Sequence, residues 1–301
     1  MSRILVQRAF LPLLLLTLVS CGGDGERAGT TPPAQDSLDT AQARTDGGLM
    51  KVGGRLFAMP SPVQTALFIR KLGLPYQKGL PMAAMAGEQL TSKRQRALYM
   101  GICGAALAYV TIHKDGQRAM GLLKEVRAVS GALEIGNAFD QDLMERFGRA
   151  VSNEDSLLRL SGEAFRAADQ YLKGNDRTDV SALVLAGGWV EGMYLTLAGA
   201  GDAPAPELSA RVGEQKRTLD NLIALLEATD TEHSATALIA GLKEVAAAYA
   251  GVVPTYQFQQ PTVDAAKRTT YINSVSSVTV PPATLKAISD KVNALRSTIL
   301  A

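Results

Sequence analysis

Two apolar stretches that contain glycine decide the fold: ALYMGICGAALAYVTI at residues 97–112 and ALVLAGGWVEGMYLTL at residues 182–197. Both carry small residues four positions apart, such as Gly188 and Gly192 in the second stretch. Glycine inside a helix costs about 1 kcal/mol relative to alanine, so these positions imply that something packs against them. We predict that the two stretches form closely packed helices at the centre of the domain. Their small residues have two explanations, simple close packing of the helices, which is favoured, and a slot for a ligand.

Helical patterns continue on both sides of these stretches. Gly and Pro residues and capping residues separate runs whose apolar positions recur every three or four residues. We predict helices over residues 63–72, 82–112 (with a break near Ser92 as an alternative), 117–133, 140–151, 154–172, 175–197, 207–228 and 232–249. The fold class is therefore mainly α, a multi-helix bundle with a helical body that extends to about residue 253.

The pattern changes after Pro254. Residues 255–259 and part of 270–280 alternate between apolar and polar side chains, which predicts two β-strands that form a small hairpin. Apolar residues then recur at steps of three and four, which predicts a final amphipathic helix. Its stripe consists of Leu285, Ile288, Val292, Leu295 and Ile299.

The N-terminus has the pattern of a bacterial lipoprotein signal. Arg3 and Arg8 supply a positive region, and residues 9–19 form an apolar run that is shorter than the roughly twenty residues a membrane-spanning helix needs. The run ends in Leu18-Val19-Ser20-Cys21 (LVSC), which resembles the lipobox. We predict that residues 1–20 are a signal peptide, with an ordinary secretory signal as the alternative.

The lipobox implies that the thiol of Cys21 receives lipid, since a thiolate is the nucleophile that this chemistry needs. Two or three acyl chains give lasting attachment, so the bilayer is the expected partner. Gly22 follows the cysteine in place of an aspartate, which favours the outer membrane by resemblance to the sorting rule of Gram-negative bacteria. Both the periplasmic and the surface face stay open.

Residues 21–50 have almost no large apolar side chains, which predicts a disordered tether ahead of a globular domain at 51–301. The chain has 31 basic and 29 acidic residues, and removing residues 1–20 removes two arginines and no acid, which leaves 29 of each. A neutral mature chain without a basic stripe argues against nucleic acid as a partner. The remaining cysteine, Cys103, lies in an apolar run and is interpreted as a buried small hydrophobe.

The two central stretches also resemble each other at an offset of 85 residues. Ala97, Leu98, Tyr109 and Thr111 are identical to the residues at 182, 183, 194 and 196. The resemblance has two explanations, an internal duplication or chance similarity in a sequence rich in Ala and Leu, and the sequence alone leaves both open.

Few residues suggest chemistry. No catalytic constellation, metal-ligand spacing or cofactor motif is found, and the two histidines are far apart in the sequence. Glu191 is the most unusual ionisable residue, because it lies in an apolar helix; if buried, it has to be paired or protonated. One possibility is a pocket lined by Glu191, Trp189, Tyr109 and Tyr194. The other, which the sequence alone favours, is that Glu191 faces solvent or pairs with an arginine such as Arg94 or Arg96.

Three motifs support a family resemblance. They are Pro60-Ser61-Pro62 ahead of its helix, Ala138-Phe139-Asp140 leading to Glu145-Arg146-Phe147, and Asn175 to Asp179 running into residues 182–194. Together they resemble a family of uncharacterised lipoproteins of Bacteroidetes over nearly all of the mature chain. The resemblance implies the lipoprotein address and a helical fold, and it implies no site residues.

Three functions fit these observations. A non-catalytic envelope lipoprotein that binds a protein partner or supports an assembly is favoured by the helical architecture. The alternatives are a small-molecule binder that uses a cleft beside residues 97–112 and 182–197, and an enzyme of unfamiliar type that uses Glu191. We expect the first.

Overall fold

Helices form most of the chain that the structure describes. The structure is a computed structural model that describes residues 48–52, 55–59, 62–80, 90–150, 153–201 and 204–301. Within these ranges the nine α-helices are α1 Pro62–Lys71, α2 Lys93–Ile112, α3 Gly116–Ala132, α4 Gln141–Ala150, α5 Glu154–Gly174, α6 Thr178–Ala198, α7 Pro206–Thr229, α8 Thr236–Ala248 and α9 Pro282–Leu300. The strands are β1 Gly48–Val52, β2 Arg55–Met59, β3 Val253–Gln257, β4 Thr262–Asp264, β5 Thr269–Tyr271 and β6 Val275–Thr279.

These elements confirm the predicted fold class: mainly α, with a small C-terminal antiparallel sheet and a final helix. The predicted signal peptide, Cys21 and the tether up to residue 47 lie outside the described residues. Strand β1 begins at Gly48, so it includes the last three residues of the predicted tether. Strands β1 and β2 pair antiparallel from Gly48 opposite Met59 to Val52 opposite Arg55, and this pairing was not predicted from the sequence.

The alternative break near Ser92 is confirmed, because Ser92 caps α2. Its hydroxyl accepts a hydrogen bond from the Gln95 backbone N–H at 3.1 Å, and the Gln95 side chain accepts one from the Ser92 backbone N–H, also at 3.1 Å. This reciprocal pair is a capping box, which satisfies two backbone donors and sets the first residue of the helix at Lys93. Residues 82–89 of the longer predicted helix lie outside the described residues.

Helices α2 and α6 form the buried centre, as predicted. Every residue of α2 from Ala97 to Ile112 is buried, and so are most residues of α6 between Val180 and Leu197. Five other helices surround them: α1, α5 and α9 contact both, α3 contacts α2, and α7 contacts α6. A helix that is apolar on all sides belongs in such a position.

Glycine allows the two central helices to touch backbone to backbone. A methyl group on Gly101 would overlap the carbonyl oxygen of Val184 and lie 2.7 Å from the amide nitrogen of Gly188. A methyl group on Gly187 would likewise overlap the carbonyl oxygen of Leu98. The seam between α2 and α6 is therefore filled by the helices themselves, and close packing explains these glycines.

The strands form three two-stranded sheets. β1 pairs with β2, β3 with β6, and β4 with β5, all antiparallel. The chain from β3 to β6 makes one long ribbon, residues 253–279, which we call the C-terminal ribbon. Four residues, 258–261, lie opposite three, 272–274, so the ribbon contains a bulge between its two paired halves.

The base of the C-terminal ribbon rests on α7. A methyl group on Gly213 would lie 2.5 Å from Val278 Cγ1 and 2.7 Å from Val280 Cγ2, so glycine leaves the space that these two side chains occupy. The following helix, α9, buries Leu285, Ile288, Val292 and Leu295. This confirms the predicted amphipathic stripe, of which Ile299 is only partly buried.

Candidate functional site

Glu191 lies in the interior and is paired with an arginine of the last helix. Its carboxylate has no exposed surface, and it accepts two hydrogen bonds from the Arg296 guanidinium: Nε to Oε2 at 2.5 Å and Nη2 to Oε1 at 3.1 Å. The side chain of Arg296 is 9 % exposed. Two parallel N–H···O bonds of this kind are the strongest arrangement for an arginine and a carboxylate. The pair joins α9 to the centre of the bundle.

Burial dominates the electrostatics of this pair. It raises the pKa of Glu191 above the usual value of a glutamate, while the hydrogen bonds and the charge of Arg296 act in the opposite direction. The guanidinium also lies over the ring of Tyr194, with its central carbon 4.0 Å from the ring centroid. Tyr194 and Glu191 are three residues apart on α6 and face the same side, so one arginine contacts both.

The arginines named from the sequence are not the partners of Glu191. Arg94 donates to the backbone carbonyl of Ser234 at 2.6 Å, and Arg96 donates to the backbone carbonyl of Leu90 at 3.0 Å. Both lie near the N-terminal end of α2, whereas Glu191 lies in the second half of α6. Arg296 was missed because it belongs to an element 105 residues further along the chain.

Trp189 lies in a shallow cleft between α1, α6 and α7. Its indole N–H donates to the side-chain oxygen of Gln215 at 3.3 Å. Phe68, Met193 and Arg211 also line the cleft, and the Arg211 guanidinium lies 5.3 Å from the centroid of the Phe68 ring. The enclosed space is about what one water molecule needs, so any larger ligand would lie mostly in the open mouth of the cleft.

Tyr109 belongs to a third place, an aromatic cluster at the C-terminal end of α2. The ring of Tyr76 stacks on His113 with centroids 4.8 Å apart, and Tyr109 meets the edge of His113 at 4.7 Å. The Tyr76 hydroxyl donates to Asp115 at 2.7 Å, and the Tyr109 hydroxyl accepts from the Gln77 backbone N–H at 3.0 Å. The cluster pins the loop after α1 onto the corner between α2 and α3.

Burial shapes the protonation of this aromatic cluster. It raises the pKa values of Tyr76 and Tyr109, and it lowers the pKa of His113 despite the nearby Glu154 carboxylate. At Asp115, burial acts to raise the pKa, but the hydrogen bonds from Tyr76 and from the Arg118 backbone N–H lower it overall. The cluster therefore holds an ionised aspartate next to a neutral histidine at neutral pH.

The four residues predicted to line one pocket thus lie in three environments. Glu191 and Tyr194 share Arg296, Trp189 lines the cleft beside α7, and Tyr109 belongs to the aromatic cluster. Within the part of the chain that the structure describes, no three His, Cys, Asp or Glu side chains converge in the way a metal ion would require. Cys103 is buried as predicted, and burial raises the pKa of its thiol to about 12.

The C-terminal ribbon carries an apolar surface that the sequence did not reveal. Among the residues whose side chains the structure describes, every large hydrophobic side chain that is exposed lies on this ribbon or at its base. The seven are Val253, Tyr256, Phe258, Val263, Tyr271, Ile272 and Val275, and their exposed fractions range from 44 % to 72 %. Their alternation with polar residues indicated strands, but nothing local indicated that both faces meet solvent.

Comparisons with protein families, curated proteins and solved structures find no match to this chain. The resemblance to lipoproteins of Bacteroidetes stays a prediction. Among the described residues, α6 is the one helix that is long and apolar enough to cross a membrane, and 83 % of its most apolar window is buried inside the bundle. A buried core helix of a bundle has the same length and apolar composition as a membrane-spanning helix, so these two properties of α6 are only weak evidence for a membrane span.

Proposed function

We propose that this protein is a lipid-anchored envelope protein of bacteria whose folded body is a non-catalytic binding or structural module. The observation that carries the proposal is Leu18-Val19-Ser20-Cys21 directly behind a short apolar run with a basic start. Lipid on Cys21 would hold the body at a membrane through the segment that precedes β1. Gly22 favours the outer membrane as that address.

Two features of the interior support a non-catalytic role. Among the described residues, the one buried carboxylate is that of Glu191, which meets a guanidinium in a bidentate pair and has no exposed surface. The thiol of Cys103 is buried, and its raised pKa keeps it protonated and unreactive at neutral pH. Groups that are paired or shielded in this way are suited to holding a fold together.

The anchor can be tested by mass spectrometry and fractionation of the protein from its native envelope. We expect an N-terminal peptide that begins at an acylated Cys21, and a protein that pellets with membranes. A Cys21→Ser variant should lose acylation and membrane association, while the matched Cys103→Ser variant should keep both. An amino end without lipid, or a retained leader, would contradict the proposal.

The binding role can be tested by capture of tagged protein from envelope extracts. A partner that is recovered with the wild type, and lost with the Cys21→Ser variant, would support an anchored binding module. Turnover of a substrate by the purified body would contradict the non-catalytic part of the proposal without affecting the anchor.

A second candidate function is the binding of a small molecule in the cleft beside Trp189. Apolar side chains combined with a few polar groups, among them Gln215 and Arg211, are typical of a ligand site, although the space is small. Trp189 is the only tryptophan of the chain, so its emission reports directly on this cleft. Saturable quenching by a metabolite, weakened by Gln215→Leu, would favour this function over the first.

A further inference from the structure

The C-terminal ribbon extends away from the helical body with few contacts of its own. Outside Val278 and a few other partly buried positions, the residues from 253 to 279 are exposed. A two-stranded ribbon that is solvated on both faces is marginally stable at best in water, and further strands or a packed surface are needed to hold it. A surface that covers the ribbon would supply what it lacks.

The apolar area on the ribbon is large enough for a specific interface. Its seven exposed hydrophobic side chains are 44–72 % exposed. With areas of about 150–250 Å² for the aromatic residues and somewhat less for the aliphatic ones, they present roughly 700 Å². A standard protein interface buries about 800 Å² on each partner, so the two faces of the ribbon together present nearly the area of one such partner.

Strands β3, β5 and β6 of the ribbon carry no charge, and β4 carries one only at its last residue. Residues 253–263 and 269–279 contain no Asp, Glu, Lys or Arg, and the three charges of the ribbon lie at its tip: Asp264 at the end of β4, with Lys267 and Arg268 in the turn. Proteins usually protect exposed strand edges with charged side chains, which stop edge-to-edge pairing. Because β3 and β6 are neutral, the edges of two copies of the ribbon can approach each other without repulsion.

Strand β6 offers a free edge. Pro254 lies opposite Val278. Proline has no N–H and is tolerated in a sheet where that side of the backbone faces solvent, so Pro254 and Val278 form a non-hydrogen-bonded pair whose backbone groups point away from the partner strand. Ser276, two residues away, belongs to the same class. The outer edge of β6 therefore presents backbone donors and acceptors at Ser276 and Val278, whereas the edge of β3 lacks a donor at Pro254.

We infer that the occupant of this surface is a second copy of the same chain, joined ribbon to ribbon through antiparallel pairing of the two β6 edges, so that the far half of each ribbon, residues 258–272, lies along the partner and is covered by it. An antiparallel pair of identical strands obeys two-fold symmetry, and the pairing turns two marginal ribbons into one four-stranded sheet. A bilayer fits this surface less well, because unpaired backbone groups cannot be left in hydrocarbon. This interface does not depend on the lipid anchor.

The test is the association state of the mature chain, residues 21–301, with Cys21→Ser to keep it free of lipid. Sedimentation equilibrium of this protein should show a monomer–dimer equilibrium at micromolar concentrations. Ser276→Pro removes an outward-pointing N–H and should weaken the dimer at least tenfold, whereas the matched Ser276→Ala variant should dimerise like the parent. Far-UV circular dichroism checks that the helices of each variant are intact.

A second variant tests the apolar face independently of the edge. Phe258→Ser with Ile272→Ser should also weaken the dimer at least tenfold, since it removes two of the most exposed side chains. A chain that is still monomeric at 100 times the micromolar concentration at which we expect the dimer would overturn the inference. So would a dimer that both variants leave unchanged, or a monomer that binds phosphatidylglycerol vesicles through the ribbon.

Discussion

Replacing Gly101 by alanine should loosen the centre of the bundle. The added methyl group would overlap the carbonyl oxygen of Val184 and lie 2.7 Å from the amide nitrogen of Gly188. Non-bonded heavy atoms are most stable at about 3.5–4.0 Å, so the overlap with the Val184 carbonyl oxygen requires α2 and α6 to separate by about 1.5–2 Å where they cross. The obstacle is backbone on both sides, which cannot move aside as a flexible side chain can.

The size of the effect follows from two opposing contributions. Overpacking of a filled core costs about 1–3 kcal/mol, and the cost here belongs at the upper end because backbone atoms are in contact. Alanine in place of glycine returns about 1 kcal/mol through its better helix propensity. We expect Gly101→Ala to lower the free energy of unfolding by about 2 kcal/mol, a large part of the 5–15 kcal/mol that is usual for a protein.

The matched control is the same substitution at Gly121 of α3. An added methyl group there meets no atom within 4 Å, so only the propensity gain remains and stability should rise by up to about 1 kcal/mol. Urea unfolding, followed by circular dichroism and by the emission of Trp189, measures both variants through their midpoints. A Gly101→Ala protein at least as stable as the wild type would refute the close approach of α2 and α6.

Three further predictions concern buried groups. Glu191→Gln should lower the free energy of unfolding, measured in urea, by about 3–5 kcal/mol, because it leaves the Arg296 guanidinium buried without a counter-charge. Adding Arg296→Met should recover much of that loss. Fully additive effects of the two substitutions on the free energy of unfolding would argue against the pair. Cys103 should resist alkylation by iodoacetamide in the native protein and react only after unfolding, since its thiol is buried with a pKa of about 12; fast native labelling, seen by mass spectrometry, would contradict this. Burial lowers the pKa of His113 below its usual 6.5, so the unfolded chain binds the proton more tightly and stability should fall as the pH drops below about 6.5. His113→Phe should flatten that part of the pH profile, and an unchanged slope would show that another group is responsible.

The helices could be predicted because local sequence determines them. The stripe of α9 follows a helical period, and the capping residues mark starts such as Ser92. The packing of α2 against α6 was also predictable, since glycine inside an apolar helix has few explanations other than a close neighbour. The hairpin of β1 and β2 was missed because two five-residue strands at the end of a polar segment leave little periodic signal.

The candidate site depends on distances that a sequence does not contain. An arginine next to an amphipathic stripe is usually solvated, and nothing around Arg296 distinguishes it from such a residue. Its role appears only when α9 packs on α6 and brings it to Glu191. The exposure of the ribbon has the same origin, since alternating residues predict a strand and say nothing about what covers it.

The buried pair and the ribbon are connected through α9. The ribbon ends at β6 and the chain passes directly through Val280 into α9, so the orientation of the ribbon depends on where that helix is seated. Apolar packing alone would tolerate a helix that slides or rotates by a fraction of a turn, whereas a bidentate bond between Arg296 and Glu191 admits one register. We therefore expect Arg296→Met to change the association of the ribbon as well as stability, and a variant that loses stability but dimerises normally would separate the two roles.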